Sequence, residues 1–529
     1  VTPAALIRAM LRAPVDLLWL GGIGTFVKAQ GETNLEAGDR ANDALRVDGR
    51  EVRARVVGEG ANLGFTQRGR IEYAAAGGRI NTDAVDNSAG VDCSDHEVNI
   101  KILVNELVAA GDMTRKQRDK LLAAMTDEVA ALVLRDNYLQ SQALTVIEAG
   151  GWQQLDRQNR FMRALEKAGK LDRAIEFLPD DESVRARLAR REALTRPELA
   201  VLLAYAKMAL YDELLPSDLP DDPQLVDDLE KYFPEPLRRQ YGPAIAGHQL
   251  RREIIATVVT NSLVNRVGPT FVNVMKERVG VGAAPIARAY AITRAAFRLR
   301  ELWSAIEALD NRVPAAQQTA MLAAIGRLAE SGTLWFLRNG TEPLDIAAHI
   351  EAYAPGVAAL GEALDALVSP ADAERLAASA AAAEQGGVPA DLARRVARLE
   401  LLEAAPDIVR IAHATGTPVE TVGRTYFEVG RRFDLDWLRG ATAGVPLDTH
   451  WDRLAVAAIL DDINGHQREL AQRVLDGGGP GAGDVDAWLA GRTTAMQRTG
   501  ALLAELKAAG KPDLAKLAIA NRQLRMLTA

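Results

Sequence analysis

Two short stretches carry the residue types that could do chemistry. Gly58-Glu59-Gly60-Ala61-Asn62 closes a β-branched run, the pattern of a buried strand breaking into a loop whose backbone comes close to something, a ligand edge being one candidate. Asp86-Asn87-Ser88-Ala89-Gly90-Val91-Asp92-Cys93-Ser94 is a second small-residue loop, and it runs into Asp95-His96-Glu97, whose charges suit the first turn of a helix. Ser94 would then stand at a helix start, where free backbone N–H groups and the dipole favour an anion. Loops of this kind at the carboxyl ends of strands are where open α/β sheets bind ligands. The bland account is that glycine and alanine let helices approach a sheet, while Asn62 and Asn87 satisfy local backbone as turn residues.

The elements that must position these loops can be read around them. Residues 4–12 read as a capped helix, and residues 15–20 as a buried strand closed by Gly21-Gly22. Gly22-Ile23-Gly24 is a fragment of a dinucleotide fingerprint and a weak signal alone; Gly22 and Ile23 are kept as cofactor candidates. A helix is expected around 36–45, a strand over 52–57, a helix over 66–76 and a strand over 79–82. That alternation predicts an α/β fold, the second half of a Rossmann-like domain over residues 1–105. From Asp95 on, 3.6-residue periodicity takes over, which predicts a large all-α domain over 106–529 that can divide near 355–390. Thr114 to Gln117 and Thr195 to Glu198 spell capping boxes, and Ser369-Pro370 and Thr417-Pro418 mark further helix starts. Residues 249–266 place Thr257, Thr260, Asn261, Asn265 and Arg266 among apolar neighbours, a mixture that calls for buried hydrogen bonds or a subunit contact, with a small-anion site as the sharper alternative. The glycine-rich run 477–483 reads as a surface loop.

Asn87 to Glu97 resembles the N-A-G-G-V-x-x-S-x-x-E segment of glutamate dehydrogenases, and residues 58–62 resemble their E-G-A-N loop. The runs 19–28, 38–45 and 135–142 look like the very large NAD-specific enzymes of bacteria, and the resemblance covers essentially the whole chain as the C-terminal part of a longer protein. It implies that NAD is the cofactor and that L-glutamate is oxidised to 2-oxoglutarate and ammonia through an iminoglutarate. Asn62 and Asn87 match the asparagines that hydrogen-bond the nicotinamide end, Gly60 belongs to the same loop, and Val91 and Ser94 match residues of the glutamate pocket. Ser88-Ala89, Asp92 and Asp95 depart from the smaller members, which bears on the shape of that pocket. No G-x-G-x-x-G and no lysine in a glycine-rich setting is present, so the phosphate turn and catalytic lysine are expected upstream of Val1 and no catalytic residue is assigned here. A reading from another class stays open: a helical oligomerisation or regulatory module without a ligand of its own.

The totals narrow the field. A chain of 529 residues, 48% hydrophobic and 25% charged, is ordinary globular material for about two to four domains. A formal charge of −8 argues against nucleic acid or an acidic membrane as partner. Arg185 to Arg191 is the one basic stretch, read as a solvated helix face. Cys93 is the single cysteine, so no internal disulfide can form; it is read as a small buried hydrophobe in a reducing cytoplasm. Six scattered histidines show no i, i+4 pair, so no metal site is assigned, and His96 is given a structural role. No apolar run reaches the roughly 18 residues that span a bilayer. The family likeness also implies a homo-oligomer.

Overall fold

In the computed structural model, residues 1–445, 450–477, 483–490 and 493–528 are described. The chain divides into two compact units, Val1–Ala291 with Phe336–Ile346, and Ile292–Trp335 with Ala347–Ala529.

The first unit opens with α1 (Pro3–Leu11), whose N-cap Thr2 accepts from Ala5 N. Four short strands follow: β1 (Leu17–Leu20), β2 (Val27–Lys28), β3 (Val47–Asp48) and β4 (Val56–Glu59), with α2 (Asn34–Ala37) between β2 and β3. β1 pairs with β4 and β2 with β3, both parallel, in two separate two-stranded sheets. Single bridges join Val27 to Phe65 and Val56 to Arg79. Leu20, Val27, Val47, Val57, Phe65, Tyr73 and Ile80 form the apolar core under these strands. α3 (Gln67–Ala75), capped by Thr66, lies on it.

The expected half of a doubly wound sheet is not what forms. Among the described residues the strands are two or four residues long and pair only in twos, short of the several longer strands that make a continuous sheet. Residues 79–82 contribute one bridge rather than a strand, and residues 36–45 give a short helix and a 3₁₀ turn. The protein is mainly all-α.

The helices begin earlier than the sequence suggested. After α4 (Asp83–Asp86), α5 runs from Ser88 to Ala110, so the stretch read as a second loop is helical. Ser, Ala and Gly are poor loop evidence when tertiary contacts favour a helix: Ile100, Leu103, Val104 and Leu107 are buried. The helix start is tied down by Asn137, whose Nδ2 donates to Val85 O (2.7 Å) and Ser88 Oγ (3.0 Å). Asn137 sits on α7 (Thr126–Ala149), which follows α6 (Arg115–Ala124). The unit continues through α8 (Leu155–Lys167), α9 (Asp181–Arg190), α10 (Arg196–Leu214), α11 (Val226–Tyr232), α12 (Glu235–Ala246) and α13 (Arg251–Val267). α10 buries Leu199, Leu202, Leu203, Ala206, Leu210 and Leu214, a helical stripe packed against α3, α7 and α13.

Some polar side chains of α13 bond within this unit, whereas Thr260 Oγ1 and Asn265 Oδ1 are buried without a hydrogen-bond partner. Thr257 Oγ1 donates to Glu253 O, Arg266 Nη1 donates to Gln142 Oε1, and Ser262 Oγ lies 3.3 Å from the Tyr290 hydroxyl. In the basic stretch, Arg190 pairs with Glu192 on the surface, but Arg187 turns inward and grips Glu198 with both Nη atoms at 2.9 and 2.8 Å. The second unit is built from helices, including Pro370–Gln385 against Ala390–Ala397 and His450–Asp476 against Leu514–Thr528. Within it Asp407 accepts from Trp335 Nε1 (2.7 Å) and Arg468 Nη1 (2.8 Å). Ser369 caps its helix as expected, whereas beyond Thr417 the cap position falls on Pro418. Of the glycine-rich run, residues 478–482 lie outside the described residues. Among the described residues no helix is long and apolar enough to cross a membrane.

The Thr195 capping box gives a test of how α10 is held. Thr195 N and Oγ1 both donate to Glu198 Oε2 (2.6 and 2.7 Å), and Glu198 is buried against Arg187. Thr195→Ala should cost about 1 kcal/mol, the value of one cap. Glu198→Ala should cost roughly 3–5 kcal/mol, because it strands the inward-turned Arg187. Urea denaturation of both variants checks the order; equal losses would mean that the cap alone holds this helix start.

Candidate functional site

Both candidate turns leave the same end of the β1–β4 pair. Trp19 is in register with Gly58 and Leu20 with Glu59, and Ala61 N donates to Leu20 O at 3.0 Å. Gly21-Gly22-Ile23 and Gly60-Ala61-Asn62 therefore emerge side by side. Gly22 has open space where a Cβ would stand, and Ile23 is 90% exposed. The glycines of the second turn have a different reason. A Cβ on Gly58 would lie 2.5 Å from the Trp19 ring, and one on Gly60 2.3 Å from it. The close approach read from the sequence is met inside the chain, by an indole laid across the turn.

Below the turn lies Glu59, wholly buried. Its carboxylate accepts from Arg70 Nε (2.6 Å), Arg70 Nη2 (3.0 Å) and Phe65 N (2.9 Å). Burial pushes the Glu59 carboxyl up from its ordinary range, and the Arg70 fork opposes that. Glu59 N donates to Asp86 Oδ2 (2.9 Å), and Asn81 Nδ2 donates to Asp86 Oδ1 (2.7 Å). Leu63, at φ +60°, donates its N–H to Asp83 Oδ2 (2.8 Å). The acidic residues of α4 thus tie the turn after β4 to the start of α5.

The result is a direct contact between the two sequence-predicted asparagines, which stand 25 positions apart. Asn87 Nδ2 donates to Asn62 Oδ1 at 2.5 Å. Both side chains lie near the surface, and the pairing leaves the Nδ2 of Asn62 and the Oδ1 of Asn87 outside that bond, one a donor and one an acceptor.

Val91 and Ser94 follow Asn87 at i+4 and i+7, one stripe of α5. Val91 is 77% exposed, one of several aliphatic side chains that this chain leaves on its surface. Ser94 is exposed, and its Oγ donates back to Gly90 O (3.2 Å). It stands well inside α5 rather than at its start, so the anion argument from a free helix terminus does not apply to it. Cys93 is exposed, contrary to its reading as a buried hydrophobe, because at its position α5 turns that face outward.

A second cluster escaped sequence reasoning. Asp92 and His96, one turn apart on α5, converge with Asp136 of α7, their ligand-type atoms all within 4.8 Å of one another. His96 is 1% exposed, stacks on Tyr232 (centroids 4.3 Å) and has no hydrogen-bond partner at either ring nitrogen. Its Nε2 is 3.9 Å from Asp136 Oδ2. Burial and the Asp136 charge push Asp92 up to about 6. Burial pulls Lys207 of α10 down to about 8, against the attraction of Asp136 and Asp92. The Asp92–His96 spacing at i, i+4 was the available signal; a search confined to histidine pairs passes over it, and nothing local points to Asp136 or Lys207.

Two family models match the chain. The one described as "Bacterial NAD-glutamate dehydrogenase, catalytic domain" covers residues 1–147, and "Glutamate dehydrogenase, C-terminal" covers residues 191–526. Among curated relatives, the NAD-specific glutamate dehydrogenase of Pseudomonas aeruginosa is 45% identical over 527 residues, 99% of this chain and 32% of the relative. That of Halomonas elongata is 44% identical over 527 residues, 99% of this chain and 33% of the relative. That of Mycobacterium tuberculosis is 40% identical over 531 residues, 100% of this chain and 33% of the relative. The chain spans about a third of the length of the curated relatives it matches.

The indole over the turn makes a double-mutant cycle decisive. Gly60→Ala should destabilise by about 1–3 kcal/mol through overpacking against Trp19. In a Trp19→Ala background the same change should cost almost nothing, a coupling of roughly 1 kcal/mol or more. Denaturation midpoints of the four proteins measure it. An equal cost in both backgrounds would show that something other than Trp19 demands the glycine.

Proposed function

Because this chain belongs to the bacterial NAD-specific glutamate dehydrogenase family, we propose that it serves the NAD-dependent oxidative deamination of L-glutamate to 2-oxoglutarate and ammonia by holding the nicotinamide and the glutamate side chain. The observation that carries the reading is the Asn87–Asn62 hydrogen bond of 2.5 Å. It brings two amides together with a donor and an acceptor to spare, the kinds of group that pair with a primary carboxamide, which is what nicotinamide presents. Bound there, NAD supplies the hydride acceptor. The chain's own residues orient it: Asn62 and Asn87 hold the carboxamide and set the ring's angle, while Gly22, Ile23 and Gly60 border it from the adjoining turns. Val91 and Ser94, one and two turns along α5, take the glutamate, Val91 against its methylenes and Ser94 donating to the side-chain carboxylate in exchange for Gly90 O. No residue of this chain is assigned to hydride or proton transfer. The reading places the enzyme in a reducing cytoplasm as a homo-oligomer.

Nicotinamide fluorescence on titration with NADH tests the cofactor half. Asn62→Ala and Asn87→Ala should each weaken NADH binding by about 3- to 10-fold, the worth of one hydrogen bond. Unchanged affinity in both would remove the assignment.

Ser94→Ala in the whole protein tests the substrate half. It should lower kcat/KM for glutamate by about 10- to 100-fold, the loss of a hydrogen bond to a charged group. Turnover of norvaline, which has no side-chain carboxylate, should barely change, and NAD affinity should hold. Equal loss of both substrates would mean that Ser94 acts only through the geometry of α5.

A further inference from the structure

The Asp92–His96–Asp136 cluster has no role in the reading above, and its chemistry points elsewhere. We propose that Asp92, His96 and Asp136 form a binding site for a divalent transition-metal cation such as zinc or manganese. One imidazole and two carboxylates are a donor set that such ions accept, with bonds of about 2.0–2.2 Å. Asp92 and His96 at i, i+4 point from one face of α5, and Asp136 answers from α7.

His96 supplies the independent observation. A buried imidazole normally satisfies both nitrogens, one as donor and one as acceptor. His96 is 1% exposed, satisfies neither, and directs Nε2 toward Asp136 at 3.9 Å. Asp92 Oδ2 is likewise buried without a partner. Asp92 Oδ2 and an imidazole nitrogen left without partners, in a cluster where one ligand-type atom from each of the three residues lies within 4.8 Å of the others, are costly unless something else completes them. Stacking on Tyr232 fixes the ring plane, and the Tyr232 hydroxyl is held by Asn99 Nδ2 (2.8 Å) and Asp95 Oδ2 (3.0 Å). The imidazole is therefore pre-set, and the two carboxylates close on the cation by rotation about their side-chain bonds. Asp136 remains 43% exposed, which gives the ion an entry path.

Lys207 fixes the sign of the electrostatics. Its amine interacts with Asp92 and Asp136 and donates to Gln140 Oε1 at 3.1 Å. It is a resident positive charge that a bound cation must tolerate, so removing it favours the cation and removing a carboxylate disfavours it. A packing role alone would predict no such opposition.

Calorimetric titration of chelator-treated protein with zinc chloride and, separately, manganese chloride tests the site, with no nucleotide or glutamate present, so the dehydrogenase reading stands or falls separately. The expected result is one equivalent taken up by the wild type with at least one of the two ions. Asp136→Asn, which alters a half-exposed side chain and keeps its shape, should weaken uptake by at least about tenfold, and Lys207→Met should tighten it by about 3- to 10-fold. Circular dichroism confirms that both variants are folded. No stoichiometric uptake of either ion, uptake indifferent to Asp136→Asn, or weaker uptake by folded Lys207→Met would each overturn the proposal.

Discussion

The buried pair of Glu59 and Arg70 is the interaction on which the candidate site depends. A carboxylate with no solvent contact must be compensated on several sides, and here a guanidinium fork and the Phe65 N–H do that at 2.6–3.0 Å. Arg70 is carried by α3, and the same guanidinium reaches Asp83 of α4 at 3.1 Å. Because Asp83 and Asp86 also take the N–H groups of Leu63 and Glu59, one buried charge pair organises the turn after β4, the short α4 and the head of α5. Truncating either partner would strand the other in a medium that cannot solvate it. The turn is therefore held by charge compensation rather than by a sheet.

That substitution explains where sequence reading succeeded and where it failed. The local signals were legible: β-branched residues ahead of Gly58 and the boxes at Thr114 and Thr195 lie where short-range chemistry decides the outcome. The Rossmann-like sheet was not there to be read, because strand pairing depends on partners far along the chain. Runs such as 27–28 and 47–48 pair over two residues only. The stretch 88–94 was misjudged for a related reason. Its small residues suit a loop or a helix equally, and Asn137, about fifty residues on, helps decide for the helix. The glycines of 58–62 were correctly read as demanding close approach, but only the structure identifies the neighbour as Trp19.

The candidate residues fared similarly. Asn62 and Asn87 were placed by likeness of order and spacing, and the structure joins them by a hydrogen bond. Lys207 and Asp136 carried no local mark, since a lysine or aspartate on a helix is ordinarily a solvated residue. Their significance comes from the packing of α7 against α5 and of α10 against α7, which puts two carboxylates, an amine and an imidazole within electrostatic reach.

Helical rather than loop geometry for residues 88–94 alters what these side chains can do. A loop would let Asn87, Val91 and Ser94 adapt independently to a ligand, whereas a helix sets them at a fixed rise of about 1.5 Å per residue, roughly 10 Å from first to last. A ruler of that length constrains any ligand that touches both ends of the stripe. The same helix turns Asp92 and His96 toward α7, off the Asn87–Val91–Ser94 stripe, so the two clusters share a backbone without sharing a face.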